Sequence, residues 1–165
     1  MKKGKPILIG GILAVVVVSV ATQWLPGRRM TDVTDINLQN ATDLWESKSP
    51  ANYWIKIQVE GRLNDIWEVS VEQGNAIKVI RNGQEMVSER TKDVWTVPGM
   101  FRMLEYDLDT QERLREQGTD LMVRAEFDSE NGIPVGYQRL DYSTRQSASW
   151  KVLEFKIRIE NQAEM

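Results

Sequence analysis

The sequence predicts an α+β domain built on a single antiparallel sheet of about six strands in the order α-β-β-β-α-β-β-β. Two helices lie on one face, and an N-terminal transmembrane helix precedes the domain. Three observations predict this. Apolar residues alternate with a period of two through residues 52–88 and again through 121–160, as in strands buried on one side. Between those runs Val97, Met100, Phe101, Leu104 and Leu108 recur at helical i, i+3, i+4, i+7 spacing. Before them, Pro6 to Leu25 is 20 residues without a charge, about the length that crosses a bilayer core as a helix.

The N-terminal run is flanked by Lys2, Lys3 and Lys5 on one side and by Arg28 and Arg29 on the other. That balance places the N-terminus in the cytoplasm and the domain outside, in a cytoplasmic or inner membrane, with the helix as a single-pass anchor. Ile7, Leu13 and Val17 would then face lipid, with Trp24 and Leu25 near the outer interface. The alternative is a signal peptide cleaved near Ser19-Val20-Ala21, with the domain secreted. Residues 1–29 are therefore read as anchor or signal segment, 30–37 as a linker carrying polar residues, 38–160 as the domain and 161–165 as a frayed tail.

Asn37 or Asn40 is a candidate cap for a first helix through Leu44 and Trp45, and Ser49-Pro50 ends it because a residue before proline resists helical dihedrals. In the strand from Asn52, Tyr53, Ile55, Ile57 and Val59 point to one face. Trp54, Lys56, Gln58 and Glu60 point to the other. Ile66 to Val71 returns with Trp67, Val69 and Val71 inward, and Ala76 to Arg81 forms the next strand. Asn82-Gly83 is a strong hairpin signal, since both central positions of the favoured turn need positive φ, and a short strand Gln84 to Ser88 can follow. Thr96 caps the central helix, Pro98 suits its first turn, and Gly118 ends it after Glu116. Arg102, Glu105 and Asp109 point outward. Leu121, Val123, Ala125 and Phe127 alternate inward. Asp128 to Gly132 turns the chain into Val135 to Tyr142, and Trp150 to Glu160 closes the sheet by burying Leu153, Phe155, Ile157 and Ile159.

Composition excludes much chemistry. The chain has no cysteine and no histidine, which removes disulfides, thiolate or imidazole metal sites, cysteine nucleophiles and histidine bases. Five of the 21 basic residues precede Met30 and none of the 24 acids does, so 16 bases face 24 acids beyond that point, a net charge of −8. Such a surface repels phosphate backbones, and nucleic acid is excluded as a partner.

Asp43-Leu44-Trp45 before Tyr53, the strand and turn Glu68 to Gly74, Thr96 to Phe101 (TVPGMF), and Phe127-Asp128 followed by Gly132-Ile133-Pro134 together resemble the bacterial family called domain of unknown function 6174. The resemblance spans about residues 38–159. It implies a small secreted or membrane-anchored domain and no established activity. Members often carry a cysteine pair where this chain has Gly61-Arg62, which argues against a disulfide or redox role, and an aromatic where it has Ile133.

Three features are candidates for function. Asp128, Glu130 and Asn131 crowd a short turn but lack the spacing and terminal glutamate of an EF-hand, so no metal is assigned. Glu126 and Asp128, near Glu60 or Glu154 across the sheet, resemble a carboxylate pair for hydrolysis, although Lys56, Arg124, Lys156 and Arg158 on the same face favour plain ion pairing. Trp54 and Trp150 fall by alternation on the helix-free face. With Lys56, Arg124 and Arg158 they form a candidate surface for a protein or envelope partner. No catalytic or cofactor-binding residue is assigned. The expected function is a tethered, non-enzymatic binding domain. The alternatives are an accessory single-pass subunit of a membrane complex, and a carboxylate hydrolase or small-ligand carrier.

Overall fold

The computed structural model describes residues 30–61, 64–87 and 92–158. The chain runs β1 (Thr31–Asp32), α1 (Asp35–Lys48), β2 (Tyr53–Glu60), β3 (Asp65–Glu72), β4 (Asn75–Arg81), β5 (Gln84–Glu85), α2 (Val97–Glu116), β6 (Leu121–Phe127), β7 (Pro134–Asp141) and β8 (Gln146–Ile157). All strands join one antiparallel sheet in the order β1-β6-β7-β8-β2-β3-β4-β5. Two meanders, β2 to β5 and β6 to β8, therefore meet where the last strand pairs with β2.

The α+β class, the antiparallel sheet and the two helices on one face agree with the sequence reading, but the sheet has eight strands rather than six. The additional strands, β1 and β5, are two residues each and sit at opposite edges. β5 falls within the short strand expected from Gln84 after the Asn82-Gly83 turn, whereas β1 follows no such turn and two residues carry no period that would reveal it. β1 also corrects the linker assignment for 30–37, because Thr31 and Asp32 pair with Ala125 and Arg124 and the helix already begins at Asp35. Its cap is Thr34, not Asn37 or Asn40. Thr34 and Asn37 exchange side-chain to backbone hydrogen bonds of 2.9 and 3.2 Å, a capping box with asparagine in the role usual for glutamate. The predicted membrane segment, with Ile7, Leu13, Val17, Trp24 and Leu25, lies outside the described residues, as do Ser88, Ile159 and the tail. Among the described residues no helix is long and apolar enough to cross a membrane.

Both helices cover the face formed by Tyr53, Ile55, Ile57, Trp67, Val69, Val71, Val79, Leu121, Val123 and Ala125, all buried as their alternation requires. Thr96 caps α2 by accepting from the Gly99 N–H at 3.1 Å, and Pro98 occupies its first turn. The Asn82-Gly83 turn has φ of 50° and 82°, the conformation that makes this pair a hairpin signal. Glycine is required by contact at two other places. A Cβ on Gly99 would lie 1.9 Å from the Asp93 carbonyl oxygen, and one on Gly132 would lie 2.2 Å from that of Ala41. Gly132 is where the β6–β7 turn touches α1.

The last strand departs from the predicted pattern. Ile57 pairs with Val152 while Lys56 pairs with Glu154, so Leu153 is an extra residue, a β-bulge. Trp150 and Val152 therefore point inward before the bulge, and Phe155 and Ile157 after it, with Glu154 and Lys156 outward. Leu153 is 37% exposed rather than buried. The single alternation read through Leu153, Phe155 and Ile157 had the right phase only beyond the bulge.

Candidate functional site

The helix-free face displays Trp54, Lys56, Arg124 and Arg158, and each is engaged within the chain. The Lys156 ammonium lies 5.0 Å from the Trp54 ring centre, a cation–π contact across the β2–β8 pair. Lys56 meets Glu68 at 3.3 Å, and Arg124 binds Asp32 at 2.8 Å, tying down β1. Arg158 reaches Glu72 at 3.6 Å and donates to the Ser70 hydroxyl at 3.4 Å. Lys151–Glu60 and Lys156–Glu154 continue the lattice. These are pairs of opposite charge, Lys156–Glu154 within one strand and the others between strands, half-buried to exposed and each worth about 0.2–1 kcal/mol.

Trp150 does not share that face, and this corrects its place in the predicted surface. It is 3% exposed and stacks on Tyr137 at 5.4 Å. Trp95 meets it edge-on at 6.3 Å, and Trp67 lies 5.9 Å beyond Trp95, with the Arg81 guanidinium 5.3 Å from the Trp67 ring. The result is an aromatic line under the start of α2. The Trp150 indole N–H is buried with no hydrogen-bond partner among the described residues. Arg81 in turn binds Asp65 at 2.6 Å, and that bond chiefly holds the Asp65 carboxyl below its usual range.

A polar network interrupts the core beside this line. Asp107, 2% exposed on α2, accepts a short hydrogen bond from the Tyr137 hydroxyl and faces Arg139 at 3.4 Å. Burial first, and the neighbouring carboxylate second, push the Tyr137 hydroxyl well above its ordinary value. The sequence held a signal for this group. Asp107 falls three residues after Leu104 and seven after Met100, in the buried phase of the helix, where a carboxylate needs partners. Tyr53 plays a parallel role nearer α1. Its hydroxyl accepts from the Val97 N–H at 3.1 Å, and burial pushes it up to about 12.

The predicted carboxylate pair is not assembled as an acid and base. Glu126 projects from β6 on the helix-free face opposite Gly136, whereas Asp128 lies beyond the strand with Oδ1 accepting from the Glu130 and Asn131 amides at 2.9 and 3.1 Å. That turn is an Asx turn. Among the described residues no three acidic, histidine or cysteine side chains are grouped to hold a metal ion.

An apolar concavity lies elsewhere. A cleft of about 250 Å³ opens under the C-terminal turn of α1, floored by Val135, Val152, Phe155 and Ile157 of the helix-covered face and walled by Trp45 and Ile133. Lys48, Pro50, Asp128, Glu130 and Asn131 form its mouth. Trp45 is held there by edge-on contacts with Tyr53 at 5.8 Å and Phe155 at 6.2 Å. The Lys48 ammonium donates to the Glu130 carbonyl at 2.6 Å, joining α1 to the β6–β7 turn across the rim. None of the predicted surface residues lines this cleft. Its floor takes residues from both sides of the bulge at Leu153, which the sequence pattern does not mark, and its wall rests on an approach between α1 and Gly132 that is remote in sequence.

No family model matches the chain, and searches of curated proteins and of solved structures return no match.

Proposed function

We propose that this chain is a membrane-tethered, extracytoplasmic binding domain whose ligand-accepting surface is the cleft between α1, the β6–β7 turn and β8. The cleft carries the reading. It is concave and lined by apolar and aromatic side chains with a few polar groups at its mouth, the arrangement by which binding sites combine desolvation with orientation. The helix-free face is a weaker candidate, because its charges are already satisfied by cross-strand partners. The tether rests on the uncharged run Pro6 to Leu25 and its flanking bases, and the resemblance to domain of unknown function 6174 agrees with that location.

The reading is tested by co-purification of the full-length chain from membranes in mild detergent, comparing the native protein with Ile157→Trp and Trp54→Ala. Ile157 is 40% exposed at the cleft, so tryptophan there fills the opening without entering the core. The expected result is loss of partner recovery with Ile157→Trp and retention with Trp54→Ala. The reverse pattern moves the site to the helix-free face, and unchanged recovery in both removes a binding role for either surface. Intact mass of the N-terminus in the same preparation separates a retained anchor from a cleaved signal.

A further inference from the structure

We infer that the cleft accepts an apolar side chain flanked by lysine or arginine, presented by an extended protein segment; the inference rests on the cleft being the binding site. The floor, Val135, Val152, Phe155 and Ile157, offers no hydrogen-bonding side chain, so the inserted group is apolar. Its volume of about 250 Å³ suits one large side chain rather than a whole drug-sized ligand, for which pockets run from about 300 Å³ upward.

The mouth supplies the charge preference. Asp128 and Glu130 stand on one side of it. On the other stands the last turn of α1, the end of a helix dipole that carries about half a negative charge. Among the described residues Lys48 is the one base lining the cleft, and its ammonium is already directed to the Glu130 carbonyl at 2.6 Å. The field at the opening is therefore negative, matching the net −8 of the chain beyond Met30. That charge disfavours a second copy of this chain and an anionic lipid surface. The chain's own residues 159–165 are a poor chemical match as well, since they contain Glu160 and Glu164 and no base. A basic-flanked apolar segment satisfies both floor and mouth.

The chain has no cysteine, so Ile157→Cys in the full-length protein places its sole thiol at the cleft. Protection of that thiol from a maleimide reports occupancy by three probe peptides: acetyl-Gly-Phe-Lys-Lys-Gly-amide and its Ser-Ser and Glu-Glu counterparts. The Lys-Lys peptide is expected to protect at least about fivefold more tightly than the Ser-Ser peptide, with the Glu-Glu peptide weakest. Adding Glu130→Gln, a substitution at an exposed side chain, is expected to weaken the Lys-Lys peptide about threefold and leave the Ser-Ser peptide unchanged. Equal protection by all three peptides, or a preference for Glu-Glu, overturns the charge assignment while leaving the cleft as a binding site. Protection by none of them overturns the inference together with the binding role of the cleft.

Discussion

At Asp107 a carboxylate occupies the buried phase of α2 and is held by the Tyr137 hydroxyl and Arg139. Truncation leaves both partners uncompensated, so Asp107→Ala should lower the unfolding free energy by about 2–4 kcal/mol in urea titrations. Asp107→Asn keeps an acceptor for Tyr137 and should lose about half as much; a loss equal to that of Asp107→Ala would show that the charge carries the whole effect, and no loss that it carries none. The tyrosines set an alkaline limit. Tyr53 is displaced upward from 10.0 to about 12, chiefly by burial, and Tyr137 moves in the same direction. A raised pKa means stability fully present below pH about 10 and lost as pH rises through the folded value. Unfolding followed by circular dichroism should therefore set in between pH 10 and 12, and Tyr53→Phe should push the onset higher. Asp141 works in the opposite sense. Its carboxyl is held down to about 2 by bonds from Ser143 and Thr144, so the stability it adds is present above its ordinary value of 3.8 and fades as pH falls toward 2. Asp141→Asn should flatten that acid limb.

Among the elements, α1 is the one whose placement depends on a single backbone approach. Gly132 has φ of 76° and passes so close to Ala41 that any Cβ would collide with its carbonyl oxygen. Gly132→Ala should cost about 2–4 kcal/mol, more than the loss expected from positive φ alone, and should open the cleft. Thr34→Ala, which removes only the capping box at the other end of the same helix, should cost about 1 kcal/mol and leave the cleft intact. Thermal melts of the two variants, together with maleimide protection in their Ile157→Cys forms, separate these outcomes. α2 was legible in the sequence from cap to terminus because Thr96, Pro98, the apolar stripe and Gly118 each act locally. The start of α1 is the less legible end, because Asn37 and Asn40 both look like caps, whereas Asn37 is the reciprocal member of a box begun by Thr34. β2, β3 and β4 were legible because each keeps an uninterrupted inward face over most of its length.

For the whole molecule, the sequence conveyed the α+β layering and one-sided helix cover, since both follow from apolar period. Tight turns such as Asn82-Gly83 convey neighbours within a run of strands, but nothing local conveys how the two runs meet. The pairing of β8 with β2 joins the two ends of the domain, and with it come the side chains that floor the cleft. Trp150 illustrates the cost of that gap: a single phase assumed for β8 put it on the surface, and the fold seats it between Tyr137 and Trp95. The ion pairs of the helix-free face were legible, as alternation and charge sufficed. Because they are exposed and short-range, raising salt to about 1 M, where the Debye length is about 3 Å, should change the stability of the native chain by no more than about 1 kcal/mol. A larger loss would show that the lattice acts cooperatively.

Leu153 works as a frameshift in the two-residue reading frame of β8. Removing it rejoins Val152 directly to Glu154, and every side chain on either flank keeps its face: Trp150, Val152, Phe155 and Ile157 inward, Lys151, Glu154 and Lys156 outward. A second inserted residue at the same place also restores an unbroken alternation, with Phe155 and Ile157 still inward, but it displaces the pairing of one flank with β2 by two residues. Deletion thus preserves both faces and pairing, whereas insertion preserves the faces and sacrifices the pairing, so what Leu153 sets at this position is register.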